Sequence, residues 1–170
     1  MDSKQLRAMQ APLKQQYRDD PGSARTPVSA AGDFTDPGIT ATVQTWAGPV
    51  RAGLVRATGG DGQDACSADM LMEALLGCAG VTLRSVATAI GVEIRAAAIR
   101  ADGVFDARGT LGVDRTVPVG ATDVVVTIEL DTEADQATLD KLGSLTERYC
   151  VVGQSLKETP QFVVRRTPAP

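Results

Sequence analysis

The sequence predicts an α+β fold in which mainly antiparallel sheets surround one long, buried central helix. Stretches of alternating apolar and polar residues, typical of strands, lie on both sides of a helical stretch over residues 67–90. This stretch is the most apolar part of the chain and carries apolar residues on all faces, which is typical of a buried helix. The order hairpin, long helix, strands, helix, strand favours the α+β class.

The first 38 residues are predicted to form a helical arm and a linker, and residues 39–170 the folded domain. Pro12 is expected to kink or split the helix of the arm, predicted over residues 4–18. Residues 21–38 are rich in Pro and Gly, which indicates a linker with room for one short strand. The helix is predicted from apolar residues spaced three and four apart: Leu6, Met9, Leu13 and Tyr17.

The first strands and the long helix follow from alternation and from capping residues. Alternation over residues 39–43 and 50–54, around a tight turn, predicts a β-hairpin. Ser67 is the predicted N-cap of the long helix, and Gly91 is well placed to end it.

Beyond the long helix, alternation predicts strands over residues 92–98 and 124–130, with an irregular segment between them. A second helix is predicted to start at Thr132, because a Thr-x-x-Asp pattern begins there, and to run to about Arg148. A final short strand is expected at residues 162–164.

Composition excludes several classes of function. The chain has 21 acidic and 17 basic residues, which argues against a partner made of nucleic acid or anionic membrane. The chain has no His, which excludes Ser-His-Asp and Cys-His catalysis within one chain. The same absence excludes a metal ion bound by His, and no metal site is predicted.

Three sparse cysteines are unlike the disulfide framework of a secreted protein. The first residues lack the apolar stretch of a signal peptide. In the apolar middle of the chain, the longest run without a charged residue is residues 74–83, which is too short to span a bilayer. We therefore expect a cytoplasmic protein whose cysteines are thiols.

Considered one by one, the cysteines leave structural and reactive roles open. Cys78 lies in the middle of the long helix among mostly apolar neighbours, which predicts a buried, inert thiol with a raised pKa. Cys150 lies at a helix C-terminus, where the helix dipole disfavours a thiolate. Cys66 lies just before the long helix, about 120° from Cys78 around an ideal helix, so these two would not share a face.

Two segments carry a resemblance to a known family. Residues 67–83 have a polar start, an apolar Leu/Ala run, a Gly-Cys pair and then Thr-Leu, which resembles the central-helix signature of the OsmC-like family. That family includes osmotically inducible proteins and organic hydroperoxide resistance proteins. Residues 147–152 resemble the segment that carries the family's second cysteine, and the spacing between Cys78 and Cys150 is similar. The resemblance covers about residues 39–166.

The resemblance implies an intertwined homodimer and a thiol-dependent peroxidase of the oxidative stress response, which needs no metal or bound cofactor. Cys78 would attack the distal oxygen of a small apolar organic hydroperoxide, giving a sulfenic acid and an alcohol. Cys150 would resolve the sulfenic acid as a disulfide, and a dithiol of the dihydrolipoyl type would reduce that disulfide. The apolar surroundings of Cys78 are then expected to bind the hydroperoxide.

The sequence also departs from the family pattern. Family peroxidases lower the pKa of the attacking cysteine with an Arg from an N-terminal strand, held by a Glu ten residues before the cysteine. Trp46 stands where that Arg is expected, which leaves Arg51 and Arg56 as the candidate activating residues. Ala68 stands ten residues before Cys78.

These departures leave two alternatives open. The chain could be a non-enzymatic homodimer of the same fold that senses redox state or binds a small molecule. Within the peroxidase hypothesis, Cys66 is an additional thiol that could take the resolving role in place of Cys150.

Overall fold

The computed structural model describes residues 1–167 and confirms the α+β class. Three consecutive strands follow the first helix, the longest helix precedes the fourth strand, and short 3-10 turns lie at Pro21–Ala24 and Arg56–Thr58. The helices are α1 (Ser3–Asp19), α2 (Ser67–Ile90), α3 (Ala107–Thr110), α4 (Gln136–Tyr149) and α5 (Val151–Gln154). The strands are β1 (Ala31–Asp33), β2 (Thr40–Thr45), β3 (Gly48–Gly53), β4 (Ala96–Val104), β5 (Thr122–Asp131) and β6 (Gln161–Arg166).

The chain forms two compact units. The first is made of Met1–Pro27, Leu75–Ala101 and the chain from Val125 on; the second is made of Val28–Ala74 and Asp102–Val124. The division of the sequence at residue 38 into an arm and a domain stays a prediction, and the last three residues of the predicted domain lie outside the described part.

The first sheet has the order β1-β2-β3 and is antiparallel throughout. The predicted hairpin is present as β2 and β3, with Val43 opposite Val50. Its tight turn needs Gly48, whose φ of +122° is rarely adopted by residues with a Cβ. The segment predicted as a linker contributes β1, which pairs with β2.

Helix α2 has the predicted bounds. Ser67 is its first residue rather than its N-cap, and the carbonyl of Cys66 accepts the hydrogen bond from the Met70 N–H. Gly91, with a φ of +77°, follows the last residue and ends the helix as expected, because glycine enters the left-handed region at little cost.

In the single chain, α2 is buried on one face only. Val81, on another face, is 73% exposed, so the prediction of burial on all faces is wrong for one chain. By length and composition α2 could also cross a membrane, with a mean hydropathy of 1.4 in its most apolar window, but core helices of soluble proteins share these properties. The buried residues repeat at helical spacing: Leu75, Ala79, Leu83, Val86 and Ala87.

The second sheet has the order β4-β5-β6 and supplies much of the core. β5 and β6 pair in parallel, because α4 carries the chain back across the sheet between them, whereas both strand pairs of the first sheet are antiparallel. Gly143 of α4 lets the helix approach β6 closely, since a Cβ there would lie 3.2 Å from Val164 Cγ2. The buried side chains of β5 alternate as predicted: Val124, Val126, Ile128 and Leu130.

Several predicted boundaries were wrong. α4 begins after Asp135, whose carboxylate accepts a hydrogen bond from the Thr138 N–H at 2.9 Å and so acts as the N-cap. Thr132 instead donates its hydroxyl to the Glu93 carbonyl at 2.6 Å, a contact between segments that no local pattern reveals. β4 begins at Ala96 rather than at residue 92, and α3 forms where an irregular segment was expected.

Helix α1 runs without interruption through Pro12, so the expected split does not occur. Proline removes the hydrogen bond to the carbonyl of Ala8, but Ala8 lies on an exposed helix where water can solvate that carbonyl. The helix begins with a capping box formed by Asp2 and Gln5. The apolar residues Met9, Leu13 and Tyr17 are all exposed.

Candidate functional site

Two of the three cysteines lie together in the first unit. Cys78 is half-buried in the middle of α2, whereas Cys150 is 0% exposed and lies at the junction between α4 and α5. The two thiols form a hydrogen bond, and both cysteines are free rather than joined in a disulfide. The two thiols are therefore adjacent, and the disulfide expected between them from the resemblance stays a prediction.

The junction at Cys150 supplies hydrogen-bond donors to both sulfurs. Cys150 has an extended backbone, with φ −75° and ψ 102°, so it ends α4 and caps the start of α5. The first N–H groups of a helix have no partner within the helix. Here the N–H groups of Val151 and Val152 donate to the Cys78 sulfur, and the Gly153 N–H donates to the Cys150 sulfur at 3.4 Å.

Close packing holds this junction against α2. A Cβ at Gly153 would lie 3.4 Å from Cys150 Sγ and 3.6 Å from Leu75 Cδ1. Leu75 is fully buried and lies one turn before Cys78 on α2. These are ordinary van der Waals distances, so the turn lies close against the helix surface beside Cys78, with room for a small side chain at residue 153.

The surroundings move the pKa values of the two thiols in opposite directions. Burial tends to raise the pKa of the Cys78 thiol, but hydrogen bonds from the Val152 N–H, the Cys150 thiol, the Thr82 hydroxyl and the Val151 N–H outweigh it, so the pKa is lowered. The raised pKa expected for Cys78 from its apolar helical neighbours was therefore wrong. Those neighbours are on its own helix, whereas most of the donors come from the α4–α5 junction.

The pKa of the Cys150 thiol is raised, first because burial disfavours its charged form and further because of the neighbouring Cys78 sulfur. Cys78 thus loses its proton more readily than an ordinary thiol, whereas Cys150 holds its proton more firmly and donates to the Cys78 sulfur. A thiolate is the nucleophilic form of cysteine, so the arrangement can attack an electrophile at Cys78 with a second sulfur in contact.

Arg51 forms an ion pair in the second unit. Its Nε lies 2.5 Å from the Asp64 carboxylate, which is much less exposed than the arginine. This carboxylate raises the pKa of the Arg51 guanidinium, chiefly through the hydrogen bond. Sequence reasoning considered carboxylates on α2 only and missed Asp64.

Backbone pairing brings Asp64 beside Arg51. The segment before α2 runs parallel to β3, where Ala65 donates its N–H to the Arg51 carbonyl and accepts from the Gly53 N–H. Gly53 leaves room for the carboxylate, since a Cβ there would lie 2.7 Å from Asp64 Oδ2. A single bridge of this kind has no alternating pattern that could reveal it in the sequence.

Arg56 and Cys66 occupy separate places in the same unit. Arg56 follows β3 in a 3-10 turn, so its side-chain direction does not follow the alternation of the strand, and it packs over Gly62. Cys66 is half-buried and immediately precedes α2. Trp46, at the hairpin turn, is fully exposed.

A cavity of about 580 Å³ lies in the first unit beside α1 and α2. Its volume is in the range of small-molecule sites, but Cys78 is not among its lining residues, so it is not the hydroperoxide site expected around that thiol. The lining includes Leu6 of α1, Val81, Arg84 and Thr88 of α2, and Glu93 and Ile94.

Within residues 1–167, no group of three or more His, Cys, Asp or Glu side chains is arranged to hold a metal ion.

The structure is that of an α+β protein with two hydrogen-bonded cysteines. Comparison with known proteins identifies the family to which it belongs. The family model described as OsmC-like protein matches residues 60–165, and the chain belongs to this family. No curated protein matches the sequence.

Solved structures share the fold at low sequence identity. An organic hydroperoxide resistance protein from Elizabethkingia anophelis is 11% identical with a TM-score of 0.66, over 84% of this chain and 99% of that one. An OsmC-like protein from Vibrio cholerae is 13% identical with a TM-score of 0.65, over 84% of this chain and 100% of that one. An organic hydroperoxide resistance protein from Legionella pneumophila is 12% identical with a TM-score of 0.59, over 85% of this chain and 100% of that one.

We predict that Thr82→Val raises the pKa of the Cys78 thiol, because the variant removes a hydroxyl donor one turn along α2 and keeps the side-chain shape. The measurement is the ultraviolet absorbance of the thiolate as a function of pH. Thr88→Val is the matched control, since the Thr88 hydroxyl donates to the Arg84 carbonyl instead. An unchanged Cys78 titration in Thr82→Val would mean that this hydroxyl does not stabilise the thiolate.

Proposed function

We propose that this protein is a cysteine-based organic hydroperoxide reductase. Membership in the OsmC-like family supports a redox-related function, and the solved relatives include proteins named for organic hydroperoxide resistance. The observation that carries the proposal is the hydrogen-bonded pair of thiols, with the pKa of Cys78 lowered and that of Cys150 raised. A reactive thiolate and a protonated second thiol in contact are what a two-cysteine peroxidase needs.

In the proposed reaction, the Cys78 thiolate attacks the distal oxygen of the hydroperoxide. The sulfur–oxygen bond forms, the oxygen–oxygen bond breaks, and the products are a sulfenic acid on Cys78 and an alcohol. Cys150 then attacks the sulfenic sulfur, which forms a disulfide and releases water. A dithiol of the dihydrolipoyl type reduces this disulfide by exchange and is itself oxidised. No cofactor enters these steps.

We also propose that Arg51 is the activating arginine. In the family, the activating Arg comes from an N-terminal strand and is held by a carboxylate. Arg51 belongs to β3 and is held by Asp64, which takes the place of the Glu that Ala68 cannot supply. Arg56 is the second candidate and is less favoured, because it lies in a turn beyond the strand.

A homodimer is part of the proposal, and two features support it. Helix α2 exposes apolar side chains such as Val81, and a helix with this hydropathy is usually covered on all faces. The two sheets have three strands each, so each has edge strands whose backbone groups could pair with a second copy. We place the protein in the cytoplasm, where free thiols persist.

The alternative function is a redox sensor or small-molecule-binding homodimer of the same fold, without turnover. The cavity beside α1 and α2 favours the binding version, because its volume suits a small ligand and Cys78 does not line it. Continuous turnover of a hydroperoxide distinguishes the enzyme from both non-enzymatic versions.

Of the predictions that follow from the proposed function, the first tests the nucleophile and the resolving thiol. Purified protein with dihydrolipoamide should consume an organic hydroperoxide, and Cys78→Ser should abolish this because a serine hydroxyl is not ionised near neutral pH. The control is Cys66→Ser, which should retain turnover. Peptide mapping of oxidised protein should identify a Cys78–Cys150 disulfide. Full turnover in Cys78→Ser would reject the assignment, and a Cys66–Cys78 disulfide would transfer the resolving role to Cys66.

The second prediction tests Arg51 and Asp64 as one unit. Arg51→Gln and Asp64→Asn should each lower kcat/KM. For Arg51→Gln we expect a loss of about 10²-fold, which is the usual effect of removing one hydrogen-bond donor that stabilises developing charge in the transition state. The double variant should be no worse than Arg51→Gln, because Asp64 acts through Arg51. Arg56→Gln is the matched control. Additive losses, or a larger loss in Arg56→Gln, would contradict the assignment.

The third prediction concerns assembly. Light scattering should give the mass of a dimer, and Val81→Glu should shift the mass toward the monomer, because a carboxylate buried without a partner is costly. Val113→Glu is the control, since Val113 is equally exposed but lies in a loop. A monomeric wild-type protein over the whole concentration range would exclude the dimer.

A further inference from the structure

The thiol of Cys150 has an unusual setting for a group whose only task is to resolve a sulfenic acid. It is 0% exposed, so water cannot easily exchange its proton. Its S–H donates to the Cys78 sulfur, the atom that reacts in the proposed function. Its own sulfur accepts a hydrogen bond from the Gly153 N–H at 3.4 Å.

The first step of hydroperoxide reduction needs a proton. When the Cys78 thiolate attacks the distal oxygen, the electron pair of the oxygen–oxygen bond moves to the other oxygen, which leaves as an alkoxide unless it is protonated. An acid placed at the reacting atoms lowers the barrier of such a step. The site must therefore either contain this acid or admit water.

The groups that face the Cys78 sulfur come from two elements. Thr82 lies on the same helix, while Cys150, the Val151 N–H and the Val152 N–H belong to the α4–α5 junction. None of these is a charged side chain. The hydroxyl and the amides are far too weakly acidic to give up a proton near neutral pH, so Cys150 is the titratable donor in this set.

We propose that Cys150 is the general acid of the first step as well as the resolving nucleophile of the second. This inference rests on the proposed function. As the bond between Cys78 Sγ and the distal oxygen forms and the oxygen–oxygen bond breaks, the Cys150 proton passes to the leaving oxygen. The products are the alcohol, the Cys78 sulfenic acid and a Cys150 thiolate that keeps the hydrogen bond from the Gly153 N–H.

The same proton transfer prepares the second step. The Cys150 thiolate attacks the Cys78 sulfenic sulfur, the disulfide forms, and hydroxide leaves and takes up a proton from solvent to become water. The raised pKa of Cys150 in the resting protein keeps its proton in place until the hydroperoxide has reacted. The resolving thiolate is therefore produced only by reduction of a hydroperoxide.

The test measures the first step alone, in single-turnover reactions of reduced protein with an organic hydroperoxide. Each variant is followed at a pH high enough for Cys78 to be fully ionised, so that a changed Cys78 pKa does not affect the rate. Cys150→Ala should react at least about 10²-fold more slowly than wild type, the usual effect of removing a general acid. A solvent deuterium isotope effect should be present in wild type and lost in Cys150→Ala. Cys66→Ala, which removes a thiol elsewhere, should match wild type.

Cys150→Ser is a second variant, for use if Cys150→Ala does not fold. The serine hydroxyl has nearly the shape of the thiol, so the fold should be kept, but it is a much weaker acid. This variant should also be slow and lack the isotope effect. Equal rates in wild type and Cys150→Ser, or the absence of an isotope effect in wild type, would overturn the general-acid role and leave the peroxidase intact. Failure of wild type to form a Cys78 sulfenic acid, trapped with a dicarbonyl reagent, would overturn the proposed function and this inference together.

Discussion

The hydrogen bond between the Cys150 thiol and the Cys78 sulfur is the contact around which the site is built. It joins the middle of α2 to the point where α4 ends and α5 begins. The chain must break at Cys150 for the first N–H groups of α5 to face the sulfurs, and residue 153 then lies beside Leu75. Packing of α4 through buried Leu142 and Gly143 holds the junction in place.

The donors that stabilise the Cys78 thiolate are neutral. Backbone N–H groups, a hydroxyl and a thiol lower its pKa without the desolvation cost of burying a second charge. Arg51, held by Asp64, carries a full positive charge, and in the proposed function this charge would attract developing negative charge on an oxygen. The two arrangements have separate tasks in the proposed function: neutral donors prepare the thiolate, and the cation assists the bond exchange.

Helix α2 is subject to two requirements at once. One face buries residues such as Leu75 and Leu83 and presents Cys78 to the α4–α5 junction, while another face leaves Val81 exposed. The apolar face of α2 that a single chain leaves exposed is a surface that a second copy could cover, and the sheets of three strands have edges of their own. The dimer proposed here accounts for both features with one assembly.

The sequence alone determined the α+β class, the hairpin and the bounds of α2, and it named Cys78 and Cys150 as the candidate reactive cysteines, because periodicity, capping residues and the cysteine segments are local signals. The start of α4, the parallel pairing of β5 with β6 and the Arg51–Asp64 pair were decided by contacts between distant segments. The pKa of Cys78 shows the difference most clearly. Its helical neighbours predicted an inert thiol, whereas the donors that lower its pKa are mostly supplied by residues 150–152, which only the tertiary structure brings to its sulfur.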